Sequence, residues 1–135
     1  MVRAAVVHGQ ATFVRALVNE LASRDIALVG VASSASNALV VVDEFGPQVL
    51  VFDLGLSQAF EGLRQLHERR PDVQVLAVTS DDASADRTQA LELGVTAFAR
   101  SDATANEVAD ALEFVAAASA AGVVSPARST RSRAT

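Results

Sequence analysis

The chain has 135 residues, half of them apolar, and a formal net charge of −5 at pH 7. This size and composition predict one globular domain with its own core and argue against a disordered chain. The absence of cysteine excludes disulfides and thiolate metal sites, and an acidic sequence argues against nucleic-acid binding by this domain.

The charges are unevenly distributed along the chain. All basic residues are arginines: residues 1–125 hold eight of them against sixteen acidic residues, whereas the last ten residues, PARSTRSRAT, hold three arginines and no acid. We expect a domain over residues 1–121 and a flexible basic tail over residues 122–135. The N-terminus carries no visible targeting signal and the apolar stretch 114–124 is too short to cross a bilayer, so we expect a cytoplasmic protein without membrane contact.

Short Val-rich runs alternate with amphipathic segments of helical length. The periodicity predicts strands over residues 2–7, 26–32, 48–53, 73–80 and 96–99. It predicts helices over residues 11–23, 34–46, 57–70, 83–94 and 104–120. Thr12 is a candidate cap for the first helix, Gly46 and Pro47 end the second, and Thr104 to Glu107 form a capping box that opens the last. This alternation predicts a doubly wound (βα)5, flavodoxin-like α/β domain with a five-stranded parallel sheet.

Polar residues follow the predicted strands. The stretch VLVFDLGL (49–56) places a single acid, Asp53, at the end of an otherwise apolar strand, where an isolated buried charge would be costly. In a doubly wound sheet, ligands collect at the carboxyl ends of the strands, an edge that water reaches. We therefore expect Asp53 at this edge together with the residues that follow the neighbouring strands: His8, Gly9, Thr79, Ser80, Arg100 and Ser101.

These residues and the order of elements resemble a bacterial two-component response-regulator receiver domain over residues 2–120. VLVFDLGL resembles the phosphoacceptor strand, with Asp53 at the phosphorylated position. LAVTS resembles the fourth strand, with Thr79 as the hydroxyl that binds a phosphoryl oxygen, and GVTAFARSDAT resembles the fifth, with Phe98 at the aromatic switch position. The resemblance implies a signalling domain and not an enzyme, with a histidine kinase as a possible partner. The end, AAASAAGVVSPA, resembles receivers that lead into a helix-turn-helix output domain, which implies regulation of transcription.

Several positions depart from the family pattern. His8 and Gly9 stand where the family has the acidic pair that holds Mg²⁺, Ser101 stands where it has a lysine, and Ser57 replaces a proline. Mg²⁺ prefers several oxygen ligands, and phosphoryl transfer depends on neutralising the charge of the transferred group. We therefore expect an atypical, degenerate receiver without a metal cofactor. Asp53 is then expected to take a substitute partner, first of all His8, with Thr79, Ser101 and Arg100 as the other candidates.

Other interpretations of the same residues remain open. Asp53 can be a strand-end acid that caps a turn, and Phe98 can be an ordinary core aromatic. His8 can be a metal ligand, a pH-sensing group or a hydrogen-bonded neighbour of the site. Arg100 can reach a phosphate or Asp53, or form a surface salt bridge. The alternative function is a working phosphoacceptor at Asp53 that regulates a transcriptional output.

Other classes of protein have weaker support. A flavodoxin-like small-molecule domain needs a phosphate-cradling loop, and HGQAT after the first strand has only one glycine. A hydrolase needs a nucleophile elbow that the sequence lacks. Asp81 and Asp82 can supply carboxylates to the edge of the sheet or belong to a solvated loop. The strongest non-catalytic interpretation is an interaction module, a homodimer through about Ala83–Ala120, because an Ala-rich helix permits close approach.

Overall fold

The computed structural model describes residues 1–80 and 84–120. They form one sheet of five parallel strands in the order β2-β1-β3-β4-β5. The strands are β1 (Val2–Val7), β2 (Ile26–Ala32), β3 (Val49–Asp53), β4 (Gln74–Thr79) and β5 (Ala97–Arg100). The helices are α1 (Ala11–Ala22), α2 (Ala38–Phe45), α3 (Ala59–Arg69), α4 (Ser84–Glu92) and α5 (Ala105–Ala120). The predicted doubly wound α/β fold is thus confirmed.

The core has two layers, one on each face of the sheet. Residues 4–7 of β1 and 49–52 of β3 are fully buried, as expected of central parallel strands covered on both faces. Helices α1 and α5 cover one face, where Leu17, Leu21 and Leu112 are fully buried. Helices α2, α3 and α4 cover the other face through residues that include Val42 and Leu63. The helices thus cover both faces of the sheet.

The ends of the helices follow the local sequence signals with two differences. Gly46 ends α2 in the left-handed conformation (φ +57°), and its amide donates to the carbonyl of Val42. The capping box at α5 is confirmed, because the Thr104 amide donates to Glu107 Oε1 (2.9 Å) and the Glu107 amide to Thr104 Oγ1 (3.1 Å). The cap of α1 is Gln10, so Thr12 lies inside the helix. The segment predicted as one helix over residues 34–46 starts with a separate 3₁₀ turn over Ala35–Asn37.

One arginine that the sequence patterns did not single out joins the two helices of one face. The guanidinium of Arg24 donates to Glu20 (3.0 Å) at the end of α1, and to Asp110 (2.6 Å) and Glu113 (2.9 Å) on α5. Because Asp110 and Glu113 are distant from Arg24 in sequence, only the packing of α5 beside α1 brings them to the guanidinium. This cluster fixes the relative position of the two helices.

The remaining sequence predictions concern a membrane span and residues that the structure does not describe. No helix within residues 1–80 or 84–120 is both long and apolar enough to span a membrane. Asp81, Asp82 and Ala83 lie outside the described residues, as does the predicted basic tail over residues 122–135.

Candidate functional site

The carboxylate of Asp53 lies at the carboxyl edge of the sheet, where β3 ends. Its side chain is 18% exposed, so the charge is only partly removed from water. The Gly55 amide donates to Oδ1 at 2.9 Å, and the Gly9 amide lies 3.4 Å from Oδ2, a longer contact. Backbone amides are good partners for a carboxylate because they place positive dipoles against its charge. Among the described residues, the hydrogen bonds of Asp53 therefore come from backbone amides and not from the side chains that we expected.

His8 follows β1 and lies next to Asp53 in a buried position, 7% exposed. Its Nδ1 accepts a hydrogen bond from the Gln10 amide (3.1 Å), so this nitrogen carries a lone pair and no proton. The ring also stacks on Phe13, with the two centroids 4.6 Å apart. Burial lowers the pKa of His8 below its ordinary value, and the Asp53 charge opposes this shift without cancelling it. The structure therefore holds His8 as a neutral imidazole.

His8 and Asp53 do not form the directly bonded pair that we expected. Their nearest atoms, Nδ1 and Oδ2, are 3.8 Å apart, which is too long for a hydrogen bond. Both atoms are acceptors when the imidazole is neutral, so neither can donate to the other. The two residues are neighbours at the edge, as the order of β1 and β3 predicted. The hydrogen bond from the Gln10 amide assigns the proton of the neutral ring to Nε2.

The other predicted edge residues lie on β4 and after β5. Thr79 ends β4 and is buried, and its carbonyl accepts a hydrogen bond from the Ser101 amide at 2.8 Å. The Ser101 side chain is exposed. Arg100 forms a two-point contact with Asp102, with Nε–Oδ1 and Nη2–Oδ2 both 3.0 Å. This contact lowers the pKa of the Asp102 carboxyl group, mainly through the hydrogen bonds from Arg100. Arg100 thus takes part in a surface salt bridge, one of the interpretations left open above.

Phe98 lies on β5 and is partly buried against the core layer formed with α2, α3 and α4. The guanidinium carbon of Arg87, on α4, lies 5.8 Å from the centroid of the Phe98 ring. This distance is within the range of a cation–π contact. Phe98 therefore packs against the core and also contacts the helix that lies beside β5.

Gly9 shows how this carboxyl edge of the sheet differs from an edge that carries two acidic residues after β1. A Cβ atom added at Gly9 would lie 3.8 Å from Asp53 Oδ2 and 3.1 Å from a methyl group of Leu56. A side chain at this position would thus approach the Asp53 carboxylate, whereas glycine provides no ligand atom. Within residues 1–80 and 84–120, no three His, Cys, Asp or Glu side chains lie close enough together to hold a metal ion. Among the described residues, the ligand-bearing side chains brought together here are the Asp53 carboxylate and the His8 imidazole.

The hydrogen bond from the Gly55 amide agrees with one interpretation that the sequence left open, a strand-end acid that caps a turn, although Gly55 itself was not named. An aspartate followed two residues later by glycine is typical of an Asx turn, in which the carboxylate accepts the amide of the second following residue. The segment Asp53-Leu54-Gly55 has this pattern, and the structure forms the turn. The role of Gln10 at His8 had no comparable signal, because it depends on how the chain enters α1.

A doubly wound parallel domain with a carboxylate at the end of its third strand has the architecture of a signalling receiver. The sequence profile of the response regulator receiver domain matches residues 5–117, and the chain belongs to this family. It is therefore a receiver domain of two-component signalling.

Individual relatives are more distant. The transcriptional regulatory protein DegU of Brevibacillus brevis is 26% identical over 91 residues, which cover 66% of this chain and 39% of that protein. The response regulator domain of Thermotoga maritima CheB is 25% identical with a TM-score of 0.76, covering 93% of this chain and 99% of that one. A LuxR-family two-component response regulator from Aurantimonas sp. SI85-9A1 is 25% identical with a TM-score of 0.71, covering 85% of each chain. The chain thus spans well under half the length of DegU.

Proposed function

We propose that this receiver domain acts in signalling through protein–protein contacts, without conventional Mg²⁺-dependent phosphorylation of Asp53. The observation that carries the proposal is the state of the residue after β1. His8 is neutral, and its Nδ1 is occupied by the Gln10 amide, at a position where the family has an acid. Neither His8 nor Gly9 can add a carboxylate oxygen beside Asp53.

The donor set does not fit Mg²⁺. A magnesium ion in a protein takes six oxygen ligands in an octahedral arrangement, usually with one or more carboxylates among them. Asp53 contributes one carboxylate, which already accepts the Gly55 amide, and the imidazole of His8 beside it offers nitrogen and not oxygen. An imidazole suits transition metals better than magnesium. The described part of the chain therefore supports an acceptor position that has lost its metal partners.

The cationic side chain that the family places after β5 is also replaced in this chain. Transfer of a phosphoryl group needs a positive charge beside the negatively charged oxygens of that group, which the family supplies from a lysine after β5. Ser101 stands there with an exposed hydroxyl, and the chain has no lysine. The neighbouring Arg100 is engaged with Asp102. From these features we expect Asp53 to be phosphorylated slowly or not at all.

The contact surface that we propose comprises α4, β5 and α5, and it would join two copies of the chain. Phe114 on α5 is 74% exposed, the largest exposure of any aromatic side chain among the described residues. It lies on the same helical stripe as Glu107 and Ala111. Those two residues line a surface depression together with Arg100 and Asp102. Apolar groups surrounded by charges of both signs can meet their own copies across a two-fold axis. A histidine kinase remains a second possible partner.

Phosphorylation of the isolated chain tests the main proposal. The protein is incubated with acetyl phosphate and MgCl₂ and its intact mass is measured, with Asp53→Asn as the control that cannot be modified at this position. We expect no phosphoryl adduct on the parent protein. The double variant His8→Asp/Gly9→Asp restores two acids after β1 and is expected to gain an adduct that Asp53→Asn abolishes.

Two observations favour the alternative of a working phosphoacceptor that regulates transcription. The Asp53 side chain reaches solvent, as an acceptor must, and the chain resembles part of a protein named as a transcriptional regulator. A stoichiometric adduct on the parent protein, absent from Asp53→Asn, would establish this alternative and overturn the proposal of a degenerate receiver.

A further inference from the structure

Helix α4 is the least firmly packed helix of the described chain. Of its nine residues, SADRTQALE, only Ala90 is buried. Leu91, its one large apolar residue, leaves 47% of its surface exposed. A helix that is polar on nearly all faces gains little from packing on a sheet, so other contacts must hold it in place. The side of α4 that faces α3 does not provide these contacts, because a cavity separates the two helices there.

A cavity of about 620 Å³ lies between α3 and α4. It opens at the amino ends of β4 and β5, so it is at the opposite edge of the sheet from Asp53. Six aliphatic side chains line it: Leu63, Leu66, Val73, Val75, Leu91 and Leu93. The volume is within the usual range of about 300–1,000 Å³ for small-molecule sites, and a few polar groups at the rim are also typical of such sites.

The charges at the rim indicate what kind of molecule fits. Arg70 contributes a cation, but Asp43 (3.0 Å) and Asp72 (3.6 Å) already pair with it. His67 packs on Gly94, and Glu92 of α4 also lines the cavity. No unbalanced cation among the described lining residues would attract an anion, and the apolar wall would exclude a strongly hydrated ion. The complementary occupant is uncharged and mainly apolar.

We propose that the cavity between α3 and α4 is a binding site for a small, uncharged, largely apolar molecule whose binding fixes α4. The occupant would cover the exposed part of Leu91 and supply the apolar contacts that α4 lacks. Because Arg87 of the same helix contacts the Phe98 ring, fixing α4 would also restrict Phe98. This gives the receiver an input that does not involve Asp53. The regulatory part of the inference rests on the proposed function, whereas the binding site does not.

Binding is tested on the intact chain with the uncharged fluorescent probe N-phenyl-1-naphthylamine. We expect saturable binding of one probe per chain. Thr88→Phe places a ring in the cavity and is expected to weaken binding by about tenfold or more, which corresponds to about 1.4 kcal/mol. Gln89→Phe is the matched control, since Gln89 is the next residue of α4, equally exposed, and does not line the cavity. Phe114→Ser controls for binding to the apolar residue of α5. Neither control is expected to change affinity more than about twofold.

Hydrogen exchange measures the effect on α4. In the parent protein, saturating probe is expected to slow amide exchange across residues 84–92 by about threefold or more. Absence of saturable binding, or equal weakening by Thr88→Phe and Gln89→Phe, would overturn the site. Unchanged exchange in α4 with binding intact would overturn the coupling. The acetyl-phosphate experiment reports separately on Asp53, at the opposite edge, so failure of one proposal is distinguishable from failure of the other.

Discussion

Replacing His8 by Asp tests directly what the imidazole does beside Asp53. The imidazole Nδ1 lies 3.8 Å from Asp53 Oδ2 and carries no charge in the folded protein. A carboxylate at this position would stand roughly 5 Å from that of Asp53. At an effective dielectric constant of about 20, two like charges at this distance repel by about 3 kcal/mol. The variant also loses the stacking of the imidazole on Phe13.

A comparison with His8→Asn separates charge from packing. Asn has the size of Asp and loses the same stacking, but it adds no charge. In EDTA at neutral pH, we expect His8→Asp to be less stable than His8→Asn by about 2–3 kcal/mol, measured by urea unfolding. Magnesium chloride should narrow this difference, because a cation held between two carboxylates stabilises the folded state. The stabilisation is about 1.4 kcal/mol when free Mg²⁺ is ten times its Kd.

Two results would refute this reasoning. Equal stability of His8→Asp and His8→Asn in EDTA would mean that position 8 does not face the Asp53 carboxylate. Equal stabilisation of the parent protein and His8→Asp by Mg²⁺ would mean that the parent already binds the ion, and the proposed loss of the metal site would be wrong.

Three further predictions follow from burial, backbone conformation and exposure. Burial holds the pKa of His8 below its ordinary value of 6.5, so the unfolded state takes up the proton first as the pH falls. The free energy of unfolding should therefore fall as the pH drops below about 6.5, and this fall should be smaller in His8→Gln. Gly94→Ala should lower the free energy of unfolding in urea by about 1–2 kcal/mol, because Gly94 has a positive φ. The loss should exceed that of Gly46→Ala, since a Cβ at position 94 would lie 2.6 Å from His67 Nδ1, whereas a Cβ at position 46 would have no atom within 4 Å. Phe114→Arg should convert the proposed dimer to a monomer in light scattering, while Val40→Arg, at a residue 57% exposed on α2, should not; a dimer that survives Phe114→Arg would place the contact elsewhere.

The elements and their order could be predicted from the sequence because each has a local cause. Apolar runs without polar interruption specified the buried strands, and β1 and β2 have the predicted bounds. Gly46 and the Thr104–Glu107 box act within a few residues of the helix ends that they determine. Alternation of strands and helices then restricted the topology to a doubly wound sheet. That topology alone placed Asp53 and His8 at the same edge.

What these residues do at the edge depended on contacts that no local pattern contains. The sequence allowed His8 to be a cationic partner of Asp53, but the entry of the chain into α1 brings the Gln10 amide to Nδ1 and keeps the ring neutral. It allowed Arg100 to reach Asp53, but Asp102 lies closer along the chain and binds it. The cavity between α3 and α4 likewise exists only because two helices, each predictable by itself, pack with a gap between them. Local periodicity determines which face of an element is apolar, whereas the distances between elements, which set charge state and open space, are decided only when all of them pack together.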